Sequence, residues 1–217
     1  MQPSSIPLQT LKRLPLYVKY LKALPQDGAL NISAAAIAEA LSLNGVQVRK
    51  DLACVSGGGR PKIGYITQDL IFDIEQFLGY NDMQSAVLVG AGNLGRALLS
   101  YRGFSQYGLD IVAAFDADPG VAGTVVHGKK VFPLEKLKDL CKRMNIRIGI
   151  ITVPEEAAQG VCDALAEIGI RAVWNFAPAK LKAPDNVFIL NENMASSLAV
   201  LMKHLSALIF EDSGVIL

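Results

Sequence analysis

The sequence has few of the residues that mark disulfide-rich, metal-binding or membrane-spanning proteins. Its 217 residues include three cysteines, Cys54, Cys141 and Cys162, and two histidines, His127 and His204. No C-x-x-C pair occurs, so the cysteines predict no disulfide framework and favour a reducing cytoplasm. Neither histidine has a metal-ligand partner at a suitable spacing, and we expect no metal site. The N-terminus has no signal-peptide pattern and no run of about 18 apolar residues occurs, so we expect neither secretion nor a membrane span.

Neither sign of charge is in excess over the whole chain. The 21 basic and 20 acidic residues give a net charge of +1, which argues against a strongly cationic nucleic-acid coat protein. The charge is unevenly distributed, however, because residues 1–66 carry +5 and the remaining residues carry −4. With 51% hydrophobic residues the chain is apolar enough to fold. The charge asymmetry suggests two domains that meet different partners.

The basic first third has the pattern of a helix-turn-helix. Apolar stripes predict helices over 12–24, from Ser33 as an N-cap to about residue 41, and over 46–55. The first ends at a turn over 25–28, and the third is the candidate recognition helix. A glycine-rich basic stretch, 57–65, predicts a hairpin wing, and an amphipathic segment, 68–78, is the expected connector.

After residue 82 the pattern changes to alternating strands and helices. Buried strands are predicted at 86–89, 109–115, 146–153, 170–176 and 187–190, with helices at 94–101, 134–144 and 155–168. This alternation predicts a parallel sheet with helices on both sides. The final segment, from Met194 to about residue 211, is apolar all round and must bury itself against a large surface, for which a partner subunit is a good candidate.

The strongest chemical signal is a G-x-G-x-x-G motif that leaves an apolar strand and opens a helix. Gly90 permits the tight turn, Gly92 lets a pyrophosphate approach the backbone, and Gly95 lets helix and strand pack closely. The helix N-terminus then offers N–H groups to the anion. Asp116 ends the second strand 21 residues past Gly95. Its carboxylate would bind ribose hydroxyls and repel a 2′-phosphate, so the motif favours NAD over NADP.

These patterns predict an α/β fold with two domains. Residues 1–80 form a winged helix-turn-helix DNA-binding domain, and residues 81–217 form a Rossmann-like domain with a parallel sheet. Two further strand ends, at Thr152-Val153-Pro154 and Asn175-Phe176-Ala177-Pro178, should face the same crevice as the glycine motif. Asn175 or a neighbouring backbone group could meet the nicotinamide carboxamide. The prolines could equally serve only to begin helices.

The sequence predicts a sensor rather than an enzyme. No histidine follows the strand ends, no Tyr-x-x-x-Lys pair follows a strand, and little chain remains for a substrate domain. The alternatives are a small NAD-dependent oxidoreductase, a CoA-binding or other nucleotide-binding protein, and a winged-helix regulator of a different nucleotide. For the third helix, the alternative is that Arg49, Lys50 and Asp51 form only a solvated face.

Taken in order along the chain, the motifs resemble those of the Rex family of redox-sensing bacterial transcriptional repressors. They are RL at 13–14, QVRKDL at 47–52, GY at 64–65, VGAGNLG at 89–95, YRGF at 101–104, FDADP at 115–119, TVP at 152–154 and NFAP at 175–178. The resemblance covers nearly the whole chain. It implies a cytoplasmic homodimer with an exchanged C-terminal helix, which binds operator DNA when NAD⁺ is high and releases it when NADH binds.

Residues and resemblance together give two candidate sites. The NAD⁺/NADH site would comprise Gly90, Ala91, Gly92, Asn93, Leu94, Gly95, Tyr101, Phe104, Asp116, Asp118, Thr152, Val153, Pro154, Asn175, Phe176, Ala177 and Pro178. The site for double-stranded operator DNA would comprise Arg13, Ser33, Gln47, Val48, Arg49, Lys50, Arg60, Lys62 and Tyr65. Arg49, Lys50 and Gln47 would reach the major groove, and the wing residues would meet the backbone or minor groove.

The sequence departs from the family pattern at the expected switch. The family has an Arg in the first helix, a Tyr after the glycine-loop helix and an Asp near the C-terminus, which form a state-dependent network. Here the Tyr matches as Tyr101, but Lys19 stands at the Arg position and Ala195 at the acid position. The wing, 54–61, also replaces a more aromatic stretch. We therefore expect retained cofactor and DNA binding with an altered coupling strength or operator preference.

Overall fold

The structure is a computed structural model that describes residues 6–25 and 30–212, with the backbone alone at 210–212. The predicted turn at 26–28 lies outside the described residues. The chain divides into two compact units, one of residues 1–83 with 106–108 and the other of residues 84–105 with 109–217.

The first unit contains four helices and a small two-stranded sheet among its described residues. The elements are α1 (Leu8–Ala23), β1 (Asn31–Ile32), α2 (Ala34–Ala40), α3 (Gly45–Ala53), β2 (Tyr65–Ile66) and α4 (Thr67–Leu78). Helix α2 begins after Ser33, whose side chain accepts a hydrogen bond from Ala36 N, as predicted. Strands β1 and β2 pair in antiparallel fashion. The buried faces of α1 to α4 share one apolar core that includes Leu14, Ile37 and Ile74.

The second unit is built on one twisted sheet. Its elements are β3 (Gln84–Val89), α5 (Asn93–Ser100), β4 (Leu109–Asp116), β5 (Val125–Val126), β6 (Lys129–Pro133), α6 (Leu137–Arg143), β7 (Ile148–Ile151), α7 (Glu155–Glu167), β8 (Ala172–Asn175), β9 (Phe188–Asn191) and α8 (Met194–Asp212). The strand order is β5-β6-β4-β3-β7-β8-β9. All neighbours are parallel except β5 and β6. The parallel sheet predicted from the alternating pattern is therefore confirmed.

The sheet is covered on both faces, which explains why its strands are apolar throughout. Alternate residues of each strand enter two different cores. Val87 and Phe115 pack in the core that includes Leu165 of α7, whereas Leu88 and Ala114 pack in the core that includes Leu99 of α5. The chain order reverses at β3, which has β4 on one side and β7 on the other. In open parallel sheets, ligands bind at the carboxyl ends of the strands beside such a reversal.

The β5–β6 hairpin is absent from the sequence-based prediction. His127 (φ 49°) and Gly128 (φ 79°) form its two-residue turn. Positive φ at both central positions is the requirement of a type I′ turn, for which Asn-Gly is the usual signal, and a His-Gly pair predicts no more than a loop. The short strands β1 and β2 were likewise not predicted. The predicted strands and helices do occur, with ends that differ by up to a few residues. Among the described residues, no helix is long and apolar enough to cross a membrane.

Candidate nucleic-acid and dinucleotide sites

The glycine loop connects β3 to α5 in a conformation that its glycines permit. Gly90 has φ +100°, and a Cβ there would lie 2.8 Å from the backbone of Thr152. A Cβ on Gly95 would collide with the carbonyl oxygen of Gly90 and lie 3.0 Å from Thr152 Oγ1. The predicted roles of Gly90 in the turn and of Gly95 in close packing therefore have a direct steric basis.

The glycine loop is held against the ends of both neighbouring strands. Gly90 N donates to Phe115 O of β4 at 2.8 Å, and Thr152 N donates to Val89 O at 2.9 Å. The Thr152 hydroxyl donates to Gly90 O at 2.6 Å. The carboxyl ends of β3, β4 and β7 thus meet at one place, as expected for a ligand crevice in a parallel sheet.

The loop leaves a space that suits a phosphate group. A Cβ on Gly92 would meet no atom within 4 Å, although the same substitution at Gly90 or Gly95 would clash. Within the described chain, the N–H groups of Gly92, Asn93 and Leu94 have no hydrogen-bond partner. These donors stand at the start of α5, where the helix dipole favours negative charge. The loop therefore fits the pyrophosphate of a dinucleotide.

Asp116 is bound to the glycine loop. Its Oδ2 accepts a hydrogen bond from Ala91 N at 2.6 Å, and its Oδ1 accepts one from Asp118 N at 2.9 Å. Asp118 in turn accepts from Gly120 N. Asp116 is half-buried beside the loop, where its remaining lone pairs can accept from hydroxyl groups. Asp118 is exposed and shapes the turn after β4.

The side chain of Asn175 does not face the crevice, whereas contact of a neighbouring backbone group with the nicotinamide carboxamide stays a prediction. Asn175 is fully buried, and its Nδ2 donates to Ala177 O, Ala179 O and Asn191 Oδ1. Its Oδ1 accepts from Ala177 N. The side-chain amide therefore uses its hydrogen bonds to hold the 175–179 turn and to contact Asn191. Ala177 is also buried, so of the NFAP motif only half-buried Phe176 and exposed Pro178 remain accessible. Pro154 stands at the start of α7, whereas no helix begins at Pro178.

Tyr101 and Phe104 belong to an aromatic cluster beside the strand ends. Tyr101 packs edge-on against Phe104 with ring centroids 4.8 Å apart, and Phe104 packs against Trp174 at 5.7 Å. Trp174 also contacts the ring of Phe176 at 4.8 Å. Tyr101 is 53% exposed, so it can contact a further group. Val153 lies near the glycine loop, with its Cγ1 2.9 Å from the Cβ position of Gly90.

The first unit brings five of the predicted DNA-binding residues to one groove. The groove has a volume of about 500 Å³ and lies between α2, α3 and the wing, and its lining includes Ser33, Arg49, Arg60, Lys62 and Tyr65. The wing closes through a bridge between Arg60 and Gly64. Among the described residues, none of those that line this groove is acidic. Lys50 is also exposed, on α3. The arrangement suits a phosphate backbone.

Asp51 is the centre of a buried polar network that the sequence analysis did not predict. Its side chain is 1% exposed and accepts from Arg13 Nε and Nη2 at 2.6 and 2.9 Å. It also accepts from Tyr17 OH at 2.7 Å, Thr10 Oγ1 at 2.9 Å and Gln47 Nε2 at 2.9 Å. The network joins α1 to α3. Asp51 is therefore not part of a solvated helix face.

The network changes the acidity of its members. Burial alone would raise the pKa of Asp51, but the hydrogen bonds from Arg13, Tyr17, Gln47 and Thr10 outweigh it and lower that pKa to about 2. Burial and the bond to Asp51 raise the pKa of Tyr17. The hydrogen bond to Asp51 raises the pKa of Arg13 as well. Asp51 is thus an ionised acceptor at neutral pH.

Val48 is a wrong prediction for the DNA site. Its side chain is completely buried in the core of the first unit, because it lies on the inward face of α3 with Leu52. It therefore packs the recognition helix and has no surface for a base or a phosphate. Arg13 and Gln47, which were also predicted to contact DNA, both donate hydrogen bonds to Asp51. The sequence could have indicated these bonds only through the spacing of the two residues to an acid that is buried.

Two family models match the chain. One, described as "CoA binding domain", matches residues 81–179, and the other, described as "Putative DNA-binding protein N-terminus", matches residues 5–53. The first covers the glycine loop and the strand ends, and the second covers α1, α2 and α3.

Curated proteins and solved structures match nearly the whole chain. The redox-sensing transcriptional repressor Rex of Porphyromonas gingivalis is 38% identical over 94% of this chain and 94% of its own length. That of Treponema denticola is 42% identical over 88% of this chain and 91% of its own. The crystal structure of RSP with beta-NAD⁺ and operator DNA matches with a TM-score of 0.88 and 30% identity over 99% of this chain and 100% of that one. RSP, a Rex-family repressor, matches in complex with beta-NADH with a TM-score of 0.85, 30% identity and coverage of 96% and 99%. The chain belongs to the Rex family of redox-sensing transcriptional repressors.

Proposed function

We propose that this protein represses transcription by binding operator DNA and that the NADH/NAD⁺ ratio controls this binding. The observation that carries the proposal is that one chain combines a basic winged-helix groove with a glycine loop whose free N–H groups suit a pyrophosphate. The relatives bind each of these ligands: RSP was crystallised with beta-NAD⁺ and operator DNA and with beta-NADH.

The DNA-binding domain comprises residues 1–80. Helix α3 enters the major groove and presents Arg49, Lys50 and Gln47, which are all exposed. Arg60 and Lys62 of the wing contact phosphates or the minor groove. Their contacts make the affinity fall as salt rises.

The sensing domain comprises residues 81–217 and binds NAD⁺ or NADH. The glycine loop holds the pyrophosphate, and the carboxylate of Asp116 accepts from the adenosine ribose and disfavours a 2′-phosphate. We assign the nicotinamide end of the cofactor to the accessible side chains of Phe176, Pro178, Val153 and Tyr101. The two cofactor forms differ by a hydride and a positive charge on the ring. The protein therefore needs two arrangements that bind them unequally, so that occupancy shifts DNA affinity.

The active form is a homodimer in the cytoplasm. The large apolar side chains of α8 between Met194 and Ile209 are each 46–67% exposed in the single chain. An apolar surface of this extent marks an interface, and we assign it to a second copy of the chain. A bacterial repressor meets its operator in the cytoplasm, and the buried thiols Cys141 and Cys162 agree with a reducing compartment.

We propose that the protein is a sensor without catalytic activity. In the described part of the chain, the polar side chains at the ends of β4, β7 and β8 are bound to backbone groups: Asp116 to Ala91 N, Thr152 to Gly90 O, and Asn175 to its own turn. None of the three is held ready as a general acid or base.

The coupling between cofactor and DNA should differ in strength from that of relatives that keep Arg and Asp at the positions of Lys19 and Ala195. A lysine provides one charge without the bidentate fork of arginine, and alanine forms no ion pair. Both residues are exposed here.

Titration of operator affinity tests the function. The full-length protein is titrated against labelled duplex from upstream of its own gene without cofactor, with saturating NAD⁺ and with saturating NADH. We expect NADH to weaken binding at least about fivefold relative to NAD⁺, within the usual range of allosteric coupling. Equal affinity in all three states would remove the redox switch from the proposal.

A parallel titration with coenzyme A addresses the match of residues 81–179 to the CoA-binding model. Trp174 lies in the aromatic cluster beside the proposed site and reports binding by fluorescence. We expect NADH, and not coenzyme A, to change its emission at micromolar concentration. The reverse result would favour a CoA-binding regulator.

A further inference from the structure

The first turn of α3 presents two side chains whose chemistry differs from that of the basic residues around them. Helix α3 begins at Gly45, and the side chain of Asn44 accepts hydrogen bonds from Val46 N and Gln47 N at 2.9 and 3.2 Å. The side chains of Val46 and Gln47 are both exposed, Val46 by 62%. The first turn of a recognition helix is the part that meets base edges. Because Asn44 caps the helix through the N–H groups of Val46 and Gln47, the backbone of these two residues is held in place.

The buried network fixes how the Gln47 amide is turned. Gln47 Nε2 donates to Asp51 Oδ1, and the same carboxylate accepts from Arg13, Tyr17 and Thr10. An ionised carboxylate has no hydrogen to donate, so the amide must turn its NH₂ group toward Asp51. The usual ambiguity between the two ends of a glutamine amide is thereby removed.

One edge of the amide remains available. The NH₂ group has two hydrogens, of which one goes to Asp51. The second hydrogen and Oε1 have no partner in the described part of the chain. A donor next to an acceptor matches the major-groove edge of adenine, which offers N6–H and N7. Guanine presents two acceptors there, N7 and O6. If the NH₂ group donated to guanine N7, the acceptor Oε1 would face the acceptor O6, which is unfavourable.

Val46 supplies the apolar complement. It precedes Gln47 by one residue in the first turn of α3, and its side chain is also exposed. The thymine methyl is the apolar group that the major groove offers to such a side chain. The pair therefore fits a step that combines adenine with a neighbouring thymine.

We propose that Gln47 reads an adenine in each operator half-site, that Val46 contacts an adjacent thymine methyl, and that Asp51 is the positioning residue that orients the Gln47 amide. This inference rests on the proposed DNA-binding function. It assigns base discrimination to Gln47 and leaves Arg49 and Lys50 to supply affinity.

Selection from randomised duplexes tests the proposal, because the protein itself then selects its operator. The full-length wild type, Gln47→Ala, Val46→Ala and the control Gln76→Ala, which changes an exposed glutamine on α4, each enrich their own preferred sequences. We expect Gln47→Ala to lose the preference for adenine at one position of each half-site and to bind the wild-type sequence about tenfold more weakly. Val46→Ala should relax the thymine preference beside it, and Gln76→Ala should change neither.

The outcomes separate this proposal from the proposed function. A wild type that enriches a sequence, together with Gln47→Ala that keeps every base preference, overturns the adenine assignment and leaves DNA binding intact. A wild type that enriches no sequence overturns both. The salt dependence of binding should stay the same in Gln47→Ala, because no phosphate contact is lost.

Two variants test the orientation by Asp51. Asp51→Asn, checked for folding by circular dichroism, should let the amide turn and weaken the adenine preference while Gln47 is still present. Gln47→Glu replaces the bond to Asp51 by repulsion between two carboxylates, and it tests the base assignment independently of Asp51→Asn. Its carboxylate can only accept, so the preference should move from adenine to cytosine. Unchanged adenine preference in the folded variant would overturn the positioning role.

Discussion

The carboxylate of Asp116 accepts a hydrogen bond from the backbone N–H of Ala91 at 2.6 Å, which ties the end of β4 to the glycine loop after β3. The same side chain thus fixes the conformation of the loop and keeps lone pairs that can accept hydrogen bonds from ribose hydroxyls.

We expect Asp116→Ala to weaken NADH binding about tenfold or more, since hydrogen bonds to a charged group contribute about 1.5–3 kcal/mol. Fluorescence of Trp174 measures the affinity. The control is Asp139→Ala, which removes an exposed ion pair with Arg143 on α6. Equal losses in both variants would contradict the assignment.

Two glycines of the loop should respond differently to alanine. At Gly92 a Cβ has open space, so Gly92→Ala should keep the wild-type melting temperature and still lose dinucleotide affinity, because the methyl group occupies the approach of the pyrophosphate. At Gly95 a Cβ strikes the Gly90 carbonyl, so Gly95→Ala should destabilise the protein by about 1–3 kcal/mol. Thermal unfolding and NADH titration of each variant provide the comparison. If Gly92→Ala binds NADH as tightly as the wild type, the assignment of the glycine loop to the binding site is wrong.

The ionised Asp51 should make stability depend on acid pH. Its pKa is lowered in the folded protein to about 2 from 3.8, so its contribution, about 2 kcal/mol, is complete above pH 4 and is lost as pH falls through 2. Urea unfolding between pH 5 and pH 2 measures the effect. Asp51→Asn should be less stable at pH 7 by about 3 kcal/mol, because Arg13 loses its partner, and its stability should fall less over this range. Parallel curves for variant and wild type would show that Asp51 does not titrate as described.

The apolar surface of α8 should hold two copies of the chain together. Replacing Leu201 and Leu205 by Glu places two charges on side chains that are 63% and 46% exposed in the single chain. We expect this variant to sediment as a monomer and the wild type as a dimer. Lys203→Gln, on the same helix, is the matched control and should remain dimeric. A dimeric double variant would place the interface elsewhere.

The three cysteines should differ in reactivity. Cys54 is exposed at the end of α3, whereas Cys141 and Cys162 are buried. Burial raises the pKa of Cys141 to about 11 and also raises that of Cys162, and the thiolate is the reactive form. At pH 8 a thiol reagent should therefore modify one cysteine rapidly, and Cys54→Ser should abolish this fast phase. Three equal rates in the native protein would contradict the burial of the other two.

The sequence predicted the features that depend on local patterns. Short apolar runs separated by helical periodicity indicated the succession of the principal strands and helices along the chain. The spacing of Gly90, Gly92 and Gly95 predicted a loop whose steric reasons the structure supplies. Ser33 was predicted as an N-cap because the cap is a bond between near neighbours in the chain.

What the sequence could not predict depends on contacts between distant residues. Asp51 looked like one charge on a basic helix face, and only the packing of α1 onto α3 surrounds it with Arg13, Tyr17 and Thr10. Asn175 looked available at a strand end, but the fold of the next four residues turns its amide inward. The grouping of 106–108 with the first unit also rests on distant packing, in which Tyr107 lies 5.3 Å from Tyr80 between ring centroids.

The hairpin at His127-Gly128 has a consequence for how the protein behaves in a crowded cell. A parallel sheet that ended at β6 would expose a row of unpaired backbone donors and acceptors, which can recruit strands of other chains. The two residues of β5 pair with Lys129 and Lys130 and cover part of that edge. Strand β5 has only two residues, so it offers few backbone groups with which a strand of another chain could pair. The residues paired with it, Lys129 and Lys130, are charged. By the same reasoning, this short antiparallel hairpin leaves fewer backbone groups open at this edge than β6 alone would.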